Sequence, residues 1–211
     1  MPTSYLITGA ARGLGDALVK VLAPKPGNIV LALIRSKAAA EHRLAADNIT
    51  NVHGLVADVT DDKALKWKPS ENEPATIIAD TQQSITSQIK KVVAVSSGMG
   101  DIDMINEIRL SNAAPYAISK GALNVLIAKL NAAYEGEGIL FMAIRPGRVD
   151  TLEGDMPLLP APILSRAKGI EAKFEAYVGA KVVPTRPEIA ARCVLAAVDR
   201  QSLAGGLGGS F

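Results

Sequence analysis

The chain predicts an α/β fold built on a doubly wound parallel sheet. Two observations carry that expectation. Short apolar runs that suit buried strands alternate with longer helix-favouring stretches, the pattern of strands covered by helices on both faces. The first of these runs ends in a glycine cluster that leads directly into a helical segment.

Residues 4–8 (SYLIT) read as the first strand, because a short apolar run stops at glycines. Residues 14–22 follow as a helix closed by Pro24 and Pro26. Residues 29–34 (IVLALI) form a second buried strand, and 37–46, rich in Ala, Glu, Arg and Leu, a helix. Residues 52–57 make a third strand that stops at Asp58. Between Asp58 and Val92 the pattern thins. Residues 75–79 (ATIIA) suit a fourth strand and 81–89 a short helix, while Pro69 and Pro74 break anything longer. Residues 91–96 (KVVAVS) are a fifth strand, 115–134 a long helix with Pro115 in its first turn, and 139–144 (ILFMAI) a sixth strand. Gly136 and Gly138 supply the stop between the last two.

A late helix spans 187–200, with Ile189, Val194, Leu195 and Val198 in an apolar pattern that also takes in Cys193, expected in the core. Residues 156–164 (MPLLPAPIL) are apolar and proline-rich; a surface loop and a substrate lid, extending over 152–183, are both open. Residues 204–211 are too glycine-rich for a strand and read as a flexible end. With no repeat and no linker, residues 1–211 are expected to form a single domain.

Composition excludes several functions. A net charge of +2, with basic residues scattered, offers no field for nucleic acid or a membrane surface. Aromatic residues make up 4%, which disfavours a base-stacking surface. Cys193 is the single cysteine, so an internal disulfide and a cysteine-rich zinc site are out. His42 and His53 lack metal-site spacing, and no metal is expected. No apolar run approaches the roughly 20 residues that span a bilayer, and the start of the chain lacks a secretory leader pattern. A soluble cytoplasmic protein acting on a small molecule is the expectation.

The glycine cluster is Thr8-Gly9-Ala10-Ala11-Arg12-Gly13-Leu14-Gly15. Missing Cβ atoms let a pyrophosphate approach the backbone, and the following helix offers free N–H groups and the positive end of its dipole. A plain glycine turn is the bland alternative; the strand–turn–helix setting favours the nucleotide. Downstream, Tyr116 and Lys120 stand as Tyr-x-x-x-Lys on one face of the long helix. An ammonium beside a phenol favours the phenolate, and such a tyrosine exchanges a proton with a carbonyl or alcohol oxygen. Ser96-Ser97 closes the fifth strand, where a hydroxyl either binds a substrate oxygen or merely caps a turn. Arg145-Pro146-Gly147 follows the sixth strand.

Taken in this order, the four features resemble the short-chain dehydrogenase/reductase family, whose fold is Rossmann-like with three α/β/α layers. The resemblance covers roughly residues 4–151. It implies that Tyr116 is the acid/base residue, that Lys120 holds the nicotinamide ribose and tunes the tyrosine, and that Ser97 orients the carbonyl. It implies cofactor contacts at Gly9, Arg12, Gly13, Leu14 and Gly15, and places Asp58 and Val59 around the adenine. Pro146, Gly147, Val149 and Thr151, in the segment PGRVDT, fall on the nicotinamide side. Members selective for NAD carry an acid at the end of the second strand; here that end reads Ile34-Arg35-Ser36. Arg12 and Arg35 suit a 2′-phosphate, so NADP(H) is the expected cofactor. The Ser-Ser-Gly-Met-Gly stretch and the long Ser97–Tyr116 separation are similar to a fungal ketoreductase and carbonyl-reductase branch.

The chain also departs from the family. The pattern calls for a helix, a strand ending in Asn-Asn-Ala-Gly and a long helix after the Asp-Val pair, roughly 40 residues or more at ordinary element lengths. Only residues 60–90 are available, and no Asn-Asn-Ala-Gly occurs. The central region is therefore shortened, no residue matches the family's catalytic asparagine, and the homo-oligomer that the long helix commonly builds is in doubt. The leading expectation is NADPH-dependent reduction of a small ketone, aldehyde or quinone; the alternative is a non-catalytic NADP-binding protein.

Overall fold

The computed structural model describes residues 3–35, 51–58, 60, 61, 90–151 and 161–202. They fall into two compact units. The first comprises Met1–Gln88 with Pro187–Arg192, the second Ile89–Arg186 with Cys193–Phe211.

The first unit holds β1 (Thr3–Thr8), α1 (Gly13–Leu22), β2 (Asn28–Ile34) and β3 (Val52–Val56). The strands form a parallel sheet in the order β1-β2-β3. Register sets Thr8 beside Leu33 and Ile34 beside Val56, so the strands finish along one edge. Val30 on the central strand is fully buried, with Ala32, Leu33 and Ile34 nearly so. Burying a side chain of Val30's size is worth about 1.5–3 kcal/mol. α1 buries Gly13, Ala17 and Val21, spaced by four residues along one helical face, and also Val19 and Leu22. At its C-terminal end the orphan carbonyls find side-chain donors: the Asn28 amide donates to Leu22 O at 2.9 Å and the Asn51 amide to Ala23 O at 2.9 Å.

The second unit holds β4 (Lys90–Val95), a 3₁₀ turn (Gly98–Gly100), α2 (Ile102–Ile108), α3 (Ala114–Tyr134), a second 3₁₀ turn (Glu135–Glu137), β5 (Ile139–Ile144) and α4 (Ala161–Val178). β4 and β5 pair in parallel, Val95 opposite Ile144. Leu140 and Met142 bury β5, and α3 is tied to it where the Phe141 N–H donates to Asn131 Oδ1 at 3.1 Å. α2 starts because the Asp101 carboxylate accepts from the N–H groups of Asp103 and Met104. Met104, Ile108 and Leu110 form a small core against Met99, and against Ile170 and Phe174 of α4. α5 (Pro187–Arg200) gives Pro187–Arg192 to the first unit and its remainder to the second.

The expected strands at both ends of the chain's motif order are present, each within a residue or two of its predicted limits. The predicted elements at 37–46, 75–79 and 81–89, the tail at 204–211 and Val59 lie outside the described residues. Two expectations are corrected. Residues 161–164 open a helix that continues to Val178; Pro162 fits its first turn, where no intrahelical N–H bond is lost. Cys193 is exposed rather than in the core. The buried stripe of α5 runs through Ala190, Ala191 and Val194, and Cys193 falls beside it.

Candidate active site

In the first unit the glycine loop leaves β1 at Thr8. Gly9 and Gly13 have φ of 67° and 59°, a left-handed backbone that side chains rarely adopt. Gly15 answers a different need: a Cβ there would stand 2.3 Å from Gly9 O. The loop is therefore drawn so close to the first turn of α1 that only hydrogen fits. Arg12 occupies the N-cap position without a side-chain cap, with Leu14 in the first helical turn. The Ala10 N–H donates to Leu33 O at 3.4 Å, which holds the loop against the end of β2.

Arg35 lies just beyond that end and, like Arg12, is exposed. The Ala57 N–H donates to Ile34 O at 3.0 Å, bringing Asp58 to the same edge. The Asp58 carboxylate accepts from the Thr60 N–H at 2.9 Å and the Thr60 hydroxyl at 2.7 Å. These bonds, first the backbone and then the hydroxyl, together with the positive charge of Arg35, hold its pKa below the ordinary carboxylate range.

In the second unit, α3 presents Tyr116 and Lys120 one turn apart. Lys120 Nζ lies 5.7 Å from the centre of the Tyr116 ring and donates to Val95 O at 2.8 Å. Tyr116 is 46% exposed, which leaves the phenol accessible to a substrate. Ser97 follows β4 directly. Its hydroxyl accepts from the Met99 N–H at 3.2 Å, so it does cap the 3₁₀ turn, and its own proton stays available to donate. The Ser96 N–H donates to Ile144 O at 2.8 Å, prolonging the β4–β5 ladder to the serine pair.

The segment after β5 sits at the same edge. Gly147 has φ of 76°. Val149 bridges to Thr185, the Asp150 N–H donates to Thr185 O at 2.9 Å, and the Thr185 N–H donates to Arg148 O at 2.8 Å. Pro146, Gly147, Val149 and Thr151 are thus carried on a stitched segment, with Gly147 and Thr151 exposed. Arg145 pairs with Asp101 at 3.0 Å, fastening this edge to the start of α2.

No family model matches the chain. Individual proteins do. It is 34% identical to the short-chain dehydrogenase/reductase AacuF of Aspergillus aculeatus, over 82% of this chain and 83% of that protein. It is 31% identical to the short chain dehydrogenase virK of Hypocrea virens, over 99% of this chain and 96% of that protein. The chain belongs to the short-chain dehydrogenase/reductase family. The fold agrees: the crystal structure of the NADPH-bound carbonyl reductase from chicken fatty liver superposes with a TM-score of 0.67 at 18% identity, covering 100% of this chain and 96% of that one.

As a short-chain dehydrogenase/reductase, the chain is a member of an oxidoreductase family, and the two fungal relatives fit the fungal branch. It is also short. The alignment with virK runs over 261 positions, more than the 211 residues of this chain, so that relative carries residues with no counterpart here. Among the described residues no group of three or more His, Cys, Asp or Glu could hold a metal ion, and no helix is long and apolar enough to cross a membrane.

Residue-by-residue reasoning missed Asp101 and Asn124, and it named Ser96 and Arg145 within motifs without giving either a role. The signals were faint: an Asn one turn beyond Lys120 inside a helix, and an Asp just ahead of an apolar helical pattern.

Proposed function

We propose that this protein reduces a small ketone, aldehyde or quinone with NADPH, and that Tyr116 is the proton donor. The observation that supports the reading best is the Ser97, Tyr116 and Lys120 set at the edge of β4 and α3, with the phenol exposed and the ammonium beside it.

The chain's fit to a dinucleotide rests on the glycine loop, where a Cβ at Gly15 would fill the approach to Gly9. The N–H groups at the start of α1 would hold the pyrophosphate. Arg12 and Arg35 would pair with a 2′-phosphate, and no acid at the end of β2 competes for the ribose. Asp58, with Val59, would face the adenine. Lys120, Pro146, Gly147, Val149 and Thr151 would hold the nicotinamide end.

The reduced nicotinamide, when bound, supplies a hydride to the carbonyl carbon. The chain's own part is to place the carbonyl and to give its oxygen a proton. The Ser97 hydroxyl donates to that oxygen and orients it. The Tyr116 hydroxyl releases its proton to the same oxygen as the alcohol forms, and the Lys120 ammonium stabilises the phenolate left behind. Residues 152–183, including α4, would cover the substrate, and residues 1–211 would act as one domain.

Fluorescence titration with NADPH and NADH tests the foundation of this reading. Selective NADPH binding supports it and justifies a carbonyl panel. Equal affinity removes the NADP preference, and binding without turnover on a broad panel favours the non-catalytic alternative.

A further inference from the structure

Asn124 lies one turn beyond Lys120 and two beyond Tyr116 on α3, and it is 4% exposed. A buried amide within a helix is costly unless its donor and its acceptor both find partners. Here both do. The Ser96 hydroxyl, itself 3% exposed, donates to Asn124 Oδ1 at 2.5 Å. The Asn124 amide donates to Gly100 O at 3.3 Å. These bonds hold the chain on either side of Ser97, at the residue before it and at the end of the 3₁₀ turn after it.

Two neighbouring observations extend the same seam. Lys120 donates to Val95 O, one residue further back on β4. At Gly100 a Cβ would meet Gly121 N and Lys120 C at 2.6 Å, so the turn lies directly against the backbone of α3. Residues 95, 96 and 100 are therefore each fastened to α3 within one turn of Lys120, and Ser97 is held between them.

We propose that Asn124 is a positioning residue that, through Ser96 and Gly100, fixes the Ser97 hydroxyl relative to Tyr116 and Lys120. The inference rests on the proposed carbonyl reduction for its kinetic consequence but not for its structural one. Asn124 touches no substrate in this scheme. A misplacement of about 1 Å at a reacting group can cost on the order of 100-fold in rate, so fixing Ser97 matters even though the anchor is remote.

The test is the double variant Ser96→Ala/Asn124→Leu, in which both polar partners become apolar groups of similar size. Such paired replacements can leave stability nearly unchanged, where a single truncation leaves an orphaned buried group. Two readouts are needed. Hydrogen exchange of the 95–101 peptide should become at least about tenfold faster while residues 139–144 keep their protection. Carbonyl turnover should fall by about 10- to 100-fold in kcat, with NADPH affinity within about twofold, and Ser96→Ala alone should fall between. Unchanged exchange at 95–101 overturns the inference, as does unchanged kcat beside faster exchange. If the unaltered protein binds NADPH but turns over nothing, the proposed function fails, and exchange alone then decides whether Asn124 holds Ser97.

Discussion

The glycine loop of the first unit and the Ser97, Tyr116 and Lys120 set of the second are built by opposite means. In the first unit the nucleotide loop is made by what is absent: Gly9 and Gly13 take left-handed backbone and Gly15 leaves room for Gly9 O, while the side chains at the edge, Arg12 and Arg35, are exposed. In the second unit the chemistry is placed by what is present, with Lys120 on Val95 O, Asn124 on Ser96 and Gly100, and Arg145 on Asp101. A surface made of backbone is intolerant of added atoms and indifferent to most lost ones. A surface made of hydrogen-bonded side chains fails when one partner is removed.

Substitutions that cross this division sharpen it. Gly15→Ala should have the largest effect: a methyl 2.3 Å from a carbonyl oxygen cannot be accommodated. It should cost upwards of about 3 kcal/mol, at the top of the overpacking range, and NADPH binding should be lost in titration. Gly100→Ala asks whether the second unit hides a backbone contact of the same kind. With a Cβ 2.6 Å from α3 it should lower stability by about 2–3 kcal/mol, read from denaturant midpoints. An unchanged midpoint would show that the turn has room to move.

Arg35→Ala and Arg12→Ala should each weaken NADPH by about tenfold or a little more, the worth of a charge-assisted bond, and leave NADH unchanged. Equal losses for both cofactors would mean these arginines do not read the 2′-phosphate. The smallest effect belongs to Asp58. Its pKa is depressed in the folded chain, so its contribution to stability is full above the ordinary carboxylate range and is lost as pH falls through the depressed value. The difference between the native protein and Asp58→Asn, read from urea midpoints, should be steady near neutrality and shrink below about pH 4. A difference that persists at low pH would show that its charge is not the cause.

The same division governs what could be read in the sequence. β1, β2, β4 and β5 are short apolar runs bounded by glycine, proline or serine, and such runs announce buried strands regardless of tertiary detail. The glycine loop and Tyr116-x-x-x-Lys120 are local, so spacing alone identified them. α2 escaped notice because seven residues give little periodicity, although Asp101 marks its start. The bend into α3 was illegible for another reason: Arg109 and Ala113 hold φ of 51° and 54°, a conformation for which neither residue type is a signal. Cys193 was misplaced because one residue of helical phase separates the buried stripe from its flank. Asn124 needs the fold to be seen, since its partners lie 28 and 24 residues away.

The most direct test is NADPH consumption with a panel of ketones, aldehydes and quinones, by the native protein and by Tyr116→Phe. Tyr116 is half-exposed, so the variant should fold and bind NADPH as the native protein does. The account predicts turnover of at least one carbonyl by the native protein and a loss of at least about 100-fold in the variant. Native turnover that survives in Tyr116→Phe, or NADPH bound with no carbonyl reduced, would contradict it.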